Sequence, residues 1–163
     1  MTQHFCLIGD PLGHSMSPAI HRALFAHAGY DGDYALRPVP QAELSSFFAG
    51  EADALCGVNV TIPHKQAVIP YLASVDAFAR ACGAVNVMAR ENGALRGYNT
   101  DCSGLLAALA QQGFSLAGAR LLVLGAGGAA LAAVAAARRA GAAEVFVSAR
   151  DAQKCADFCA RTG

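Results

Sequence analysis

The chain has 163 residues, 55% of them hydrophobic and only 15% charged, with 17 glycines. That balance supports a packed, helix-rich globular fold of one domain, or one and a fraction, and excludes a disordered chain. Twelve Lys and Arg against twelve Asp and Glu cancel, which argues against the basic footprint of a nucleic-acid or acidic-lipid binder.

Residues 1–4 carry no charged leader, so no signal peptide is expected, and residues 4–9 read as a first buried strand. The turn Asp10-Pro11-Leu12-Gly13 leads into His14-Ser15-Met16-Ser17-Pro18. Ser17 is expected to cap a helix opened by Pro18, with Ile20, Ala23, Leu24 and Ala28 at core spacing and Gly29 as the stop. Ser15 and Ser17, ahead of a helix start, can turn hydroxyls and amides into one anion-favouring concavity. A plain capping serine is the alternative for Ser17. Residues 33–37 read as a second strand, and Pro40 opens a short helix with Leu44, Phe47 and Phe48 inward.

A third strand, residues 55–60, hands over to Asn59-Val60-Thr61-Ile62-Pro63-His64-Lys65. Ligands of open α/β sheets bind at such strand ends. Alternation places Asn59 and Thr61 on one side. Pro63 suits the first turn of a helix and keeps Ile62 extended. Lys65 then falls in that first turn, where the positive helix end disfavours a cation. A functional reason for it competes with a solvated surface lysine. Helices are expected over 65–73 and 75–81, then a strand over 83–89 with Asn86 set into it. Asn92-Gly93 is a hairpin signal that pairs 95–98 antiparallel with that strand.

Gly97-Tyr98-Asn99-Thr100-Asp101 then leads into a helix with Leu105, Leu106 and Leu109, and Asp101 suits its N-cap. Residues 120–124 form an apolar strand running into Gly125-Ala126-Gly127-Gly128-Ala129-Ala130, followed by an alanine-rich helix and a strand over 144–148. This is a βαβ unit with the glycine pattern of a dinucleotide site. Gly125 serves the tight turn, Gly127 admits a pyrophosphate, and Ala130 lets helix pack on strand. Ala149-Arg150-Asp151 ends the second strand, where Arg150 favours the 2′-phosphate of NADP. No apolar run approaches the ~18 residues of a membrane span. Six scattered cysteines form no CxxC, so reduced thiols of a cytoplasmic protein are expected. The five histidines show no HExxH-type pattern, so no metal is expected.

The stretches Gly9-Asp10-Pro11, His14-Ser15-x-Ser17-Pro18, Asn59-Val60-Thr61-x-Pro63-x-Lys65, Gly83-Ala84-Val85-Asn86, Gly97-x-Asn99-Thr100-Asp101 and Gly125-Ala126-Gly127-Gly128 together resemble the shikimate dehydrogenase family. They stand in family order and spacing over residues 5–150. The resemblance implies an α/β chain: a mostly parallel substrate-binding sheet with helices on both faces, then a partial Rossmann-like domain. The boundaries it implies are 1–112 for the substrate domain and 113–163 for the start of the NADP-binding domain, with the active site in the cleft between them.

It implies NADP-dependent, reversible reduction of 3-dehydroshikimate to shikimate, in aromatic amino acid biosynthesis. Ser15 and Ser17 would bind the carboxylate, and Asn59, Thr61, Asn86 and Asp101 the ring hydroxyls. Lys65, paired with Asp101, would be catalytic. NADP would lie on Gly125, Ala126, Gly127, Gly128, Ala129 and Arg150. The partners implied are the small-molecule substrate alone, with neither nucleic acid nor membrane, in a monomer or homodimer. Val87 replaces the family's usual threonine, and Ala149-Arg150-Asp151 its usual Asn-Arg-Thr. The family also needs further cofactor-sheet strands and a C-terminal segment, so the chain looks like the front part of such an enzyme. The competing readings are a catalytically silent shikimate-binding fragment and a quinate/shikimate dehydrogenase using NAD.

Overall fold

The computed structural model describes residues 1–162. Its buried apolar side chains form two separate clusters, and the backbone divides into two compact units. The first is Met1–Ala79 with Val85–Tyr98, and the second is Arg80–Ala84 with the chain from Asn99 onward.

The first unit is built on β1 (Gln3–Gly9), β2 (Gly32–Pro38), β3 (Gly57–Val60), β4 (Ser74–Val75), β5 (Val87–Glu91) and β6 (Ala94–Tyr98). The strand order is β2-β1-β3-β5-β6-β4, and every neighbouring pair is parallel except those made by β5. The sheet is therefore mostly parallel, with helices on both faces, as alternating strands and helices predict. Cys6 and Ile8 of β1, Val58 and Val60 of β3 and Met88 of β5 centre the core. Leu44 and Phe47 of α2 (Leu44–Ala49) close on them. The hairpin turn is as expected: Asn92 and Gly93 both take positive φ, 51° and 82°, and β5 pairs antiparallel with β6.

Three expectations fail here for identifiable reasons. No α-helix spans 65–73; the segment is a series of turns with one tight helical turn at Ile69–Tyr71. In a helix the Lys65 carbonyl would accept from residue 69. Instead Val85 N–H takes it at 2.7 Å. Pro70 also has no N–H to offer residue 66. The helix expected over 75–81 is split into β4 and the short α3 (Ala77–Cys82), whose start is held by Asp76 Oδ1 accepting the Ala79 N–H at 2.7 Å. The strand expected over 83–89 begins only at Val87, because Gly83 turns the chain at φ 60°.

Helix α1 (Ser17–Ala28) ends at Gly29, with φ 61°, as its sequence predicts. Its inward face differs from expectation. Ile20 and Leu24 are 53% and 54% exposed. His21 instead stacks flat on Tyr34 of β2, ring centres 4.0 Å apart, and Phe25 packs on Phe5 at 5.3 Å. Aromatic pairs with this geometry gain energy beyond plain area burial, so they outcompete the aliphatic stripe.

The second unit holds α4 (Asp101–Gln111), β7 (Arg120–Leu124), α5 (Gly128–Arg139), β8 (Glu144–Ser148) and α6 (Ala152–Thr162). β7 and β8 are parallel and in register from Arg120 to Leu124. Ala130, Leu131 and Val134 of α5 and Phe158 of α6 pack on Val123, Val145 and Val147. Leu122, Leu124 and Phe146 point to the other, exposed face. Among the described residues no helix is long and apolar enough to cross a membrane.

Candidate functional site

Strand β3 carries the polar cluster of the first unit. Val58 and Val60 are buried in the core, whereas Asn59, and Thr61 beyond it, are half-buried. The turn after β3 is laced to the turn after β1. Thr61 N–H donates to the Ile8 carbonyl at 2.9 Å, and Asp10 N–H to the Ile62 carbonyl at 3.1 Å. Both turns contain a cis X–Pro peptide, Asp10-Pro11 and Ile62-Pro63. Pro63 lies in a run of turns and does not open a helix. Gly9 sits where the turns meet. A Cβ there would collide with the Thr61 methyl and stand 2.9 Å from both the Ile62 oxygen and the Leu12 side chain. Gly9→Ala is therefore expected to destabilise the fold by about 1–3 kcal/mol and to displace Thr61. Differential scanning calorimetry checks this: an unchanged Tm would mean the two turns part without cost.

Ser17 is the first residue of α1 and not its cap; its N–H is accepted by Ser15 Oγ at 3.2 Å. The Ser15 hydroxyl donates to Ser17 Oγ at 3.0 Å. On β2, the Tyr34 hydroxyl donates to Asn59 Oδ1 at 2.7 Å. Asn59 Nδ2 faces the Asn86 carbonyl at 3.5 Å, and that carbonyl also takes the Val60 N–H at 2.9 Å. Burial pushes the Tyr34 phenol up, against a smaller opposite pull from the Ser17 side chain. Burial also holds His21 below the ordinary histidine range, opposed more weakly by the side chain of Asn59. The first unit thus brings Ser15, Ser17, Asn59 and Asn86 together around Tyr34 and His21.

Lys65 is half-buried, and its carbonyl binds the Val85 N–H beside Asn86. Its neighbour His64 is fully buried, with Nε2 2.6 Å from the Val39 carbonyl and Nδ1 without a hydrogen-bond partner among the described residues. A carbonyl only accepts, so Nε2 is the donor in this contact. This ring pins the Lys65 turn to the end of β2.

In the second unit Asp101 is the first residue of α4 and not its cap. Asn99, almost fully buried, organises this turn: its Oδ1 accepts the Asp101 N–H at 3.0 Å and its Nδ2 donates to the Ala84 carbonyl at 2.9 Å. A cleft of about 760 Å³ opens at the ends of β7 and β8, lined among others by Gly125, Ala126, Gly127, Arg150 and Lys154. Gly125 has φ 120°, which favours glycine. A Cβ at Gly125 or Gly127 would meet nothing within 4 Å. The N–H groups that open α5, with Gly128 and Ala129 in its first turn, take no side-chain cap. Asp151 Oδ1 accepts the Lys154 N–H at 3.0 Å, so this carboxylate caps α6. Backbone donors, small residues and two cations suit the phosphates of a dinucleotide. Among the described residues no group of three or more His, Cys, Asp or Glu could hold a metal ion.

Sequence reading assigned no role to Tyr34, His21, His64, Asn99 or Lys154. Tyr34 fell within the expected second strand, which gave no sign of its partner. Lys154 could have been found from its spacing of one helical turn after Arg150.

A mostly parallel α/β unit with hydroxyls, amides and a lysine at its strand ends, followed by a parallel βαβ with a glycine-rich turn, defines an α/β protein with part of a dinucleotide-binding fold. Residues 7–88 match the family model described as the shikimate dehydrogenase substrate binding domain, and the chain belongs to the shikimate dehydrogenase family. It is 43% identical over 153 residues to the shikimate dehydrogenase (NADP(+)) of Moorella thermoacetica, covering 93% of this chain and 52% of that one. The crystal structure of shikimate dehydrogenase from Aquifex aeolicus superposes with a TM-score of 0.92 at 38% identity, over 98% of this chain and 60% of that one. The Thermus thermophilus enzyme, in complex with NADP(H) and shikimate, gives a TM-score of 0.89 at 37% identity, over 99% and 61%. The chain spans about half the length of the curated relatives it matches.

Proposed function

We propose that this chain binds shikimate and 3-dehydroshikimate and takes the adenosine end of NADP, as the substrate side of a cytoplasmic NADP-dependent shikimate dehydrogenase. The observation that carries this reading is the cluster of Ser15, Ser17, Asn59 and Asn86 on one unit, with Lys65 on the adjoining turn. A polyol acid needs an anion site beside several donors and acceptors, and that cluster supplies both.

In this reading residues 1–112 form the substrate domain, and the cofactor domain starts at 113. The Ser15 and Ser17 hydroxyls hold the carboxylate at the start of α1. Asn59, Thr61, Asn86 and Asp101 hold the ring hydroxyls. The Lys65 ammonium polarises the ketone and gives its oxygen a proton, while Asp101 orients that ammonium. NADPH, when bound, supplies the hydride. Gly125, Ala126, Gly127, Gly128 and Ala129 leave room and N–H groups for its pyrophosphate, and Arg150 clamps the 2′-phosphate.

The 163 residues by themselves, with two strands of the cofactor sheet, are expected to bind shikimate without turnover. Isothermal calorimetry with shikimate and with quinate, beside an NADPH absorbance assay with NADP and with NAD, tests this. Saturable heat with shikimate and a flat assay are expected. No heat with either acid overturns the substrate reading, and robust turnover overturns the silent one.

A further inference from the structure

Two turns far apart in the sequence are hydrogen-bonded to opposite edges of one peptide group. A trans peptide is planar, with its N–H and C=O on opposite edges, and Ala84-Val85 is trans. Its N–H, which belongs to Val85, donates to the Lys65 carbonyl at 2.7 Å. Its C=O, which belongs to Ala84, accepts from Asn99 Nδ2 at 2.9 Å. Asn99 Oδ1 then accepts the Asp101 N–H at 3.0 Å. A backbone carbonyl only accepts and a backbone N–H only donates, so both ends fix which way the Asn99 amide points. Ala84 and Val85 are fully buried and Asn99 is 7% exposed, so water is no ready substitute for a bond lost from this row. The three bonds run head to tail from Asp101 to Lys65, which lets each polarise the next.

We infer that Asn99 is a positioning residue for Lys65 and Asp101, which act as a pair in the substrate reading above, on which this role rests. Through the Ala84-Val85 peptide its amide hangs the Asp101 turn and the Lys65 backbone on one buried support. A side chain at 99 that only accepts completes half of that link. Serine would be such a side chain. In this same chain a serine hydroxyl accepts the N–H two residues on, Ser15 for Ser17 and Ser115 for Ala117, each at 3.2 Å. Serine at 99 would keep the Asp101 turn in that way but, one atom shorter than the amide, would lose Ala84. The binding cluster stands apart from the link. Asn86 is held by its own backbone, its N–H on the Tyr98 carbonyl at 3.0 Å and its carbonyl on the Val60 N–H at 2.9 Å.

The test has two arms. The first needs no ligand and uses the 163-residue chain, isotope-labelled for NMR. In wild type, scalar couplings are expected across the hydrogen bonds from Asn99 Nδ2 to Ala84 and from Val85 N–H to Lys65. Absence of the first overturns the link, whether or not any variant folds. In Asn99→Ser, the Val85 N–H is expected to exchange with solvent about tenfold faster, while exchange at the Asp101 N–H changes by less than about threefold. A Val85 N–H that exchanges as in wild type overturns the proposal, because Asn99 would then serve its own turn alone.

The second arm is kinetic, in a full-length enzyme carrying these residues. Asn99→Ser is expected to lower kcat about 10- to 100-fold, with shikimate affinity by calorimetry changed by no more than about threefold. In the Lys65→Ala background it is expected to lower kcat no further. A parallel loss of affinity, or kcat losses that multiply with those of Lys65→Ala, overturn the positioning role, since a merely structural asparagine would act independently of Lys65. If Lys65→Ala itself keeps wild-type turnover, the catalytic pair of the substrate reading falls, while the first arm still decides whether Asn99 joins the two turns.

Discussion

Lys65→Ala, in a full-length enzyme carrying these residues, is expected to lower kcat by about 10²–10⁴ while shikimate affinity changes little. The reason is a division of labour. Contacts among Ser15, Ser17, Asn59, Tyr34 and the Asn86 carbonyl hold the binding cluster, and these contacts do not involve the Lys65 side chain. The Lys65 backbone is fixed independently, through its carbonyl to Val85 and through the buried His64 ring to Val39. Truncating the side chain should leave the backbone of that turn in place while removing the ammonium. Single-turnover kinetics with calorimetry on the same variant separate the two effects. A variant that keeps near wild-type turnover would assign the proton step elsewhere, and one that loses shikimate binding in parallel would make Lys65 a binding residue.

Arg150→Ala is expected to weaken NADP by about 10- to 100-fold and NAD by much less, since only NADP presents a phosphate to the guanidinium. The structure bears on both halves of that expectation. Asp151, the residue that would repel a phosphate, is occupied in capping α6 through the Lys154 N–H. Lys154 lines the same cleft as Arg150 and is expected to share the work. The single variant should therefore retain some preference for NADP, and Arg150→Ala with Lys154→Ala should lose it. Fluorescence titration with both cofactors checks this in the full-length enzyme. Equal losses for NAD and NADP in the double variant would mean that the cleft reads the adenosine and not its phosphate.

The features legible in the sequence are those governed by a few adjacent residues. Gly29 ends α1 in a left-handed conformation and Asn92-Gly93 closes the β5–β6 hairpin, because few other residues take positive φ cheaply. The glycine-rich turn between β7 and α5 is recognisable for the same reason, since Gly125 sits at φ 120°. Strand alternation placed Asn59 and Thr61 opposite Val58 and Val60. These local rules, with the motif spacing, carried the mostly parallel α/β class and the family.

What only the tertiary structure decided are choices between two locally acceptable states. Periodicity offered a helix over 65–73, and the Val85 N–H, twenty residues on, took the carbonyl that helix needed. Periodicity offered Ile20 and Leu24 as the buried face of α1, and the rings of Phe5 and Tyr34, on two other strands, drew in Phe25 and His21 instead. Ser17 and Asp101 both looked like helix caps. Ser17 became the first residue of α1 and Asp101 the first of α4 under Asn99, whereas Asp151, read in the sequence only as the residue after Arg150, caps α6. For the 65–73 segment and for α1 the deciding partner is distant in sequence, and a hydrogen-bond donor or aromatic face that arrives only on folding leaves no periodic trace beforehand.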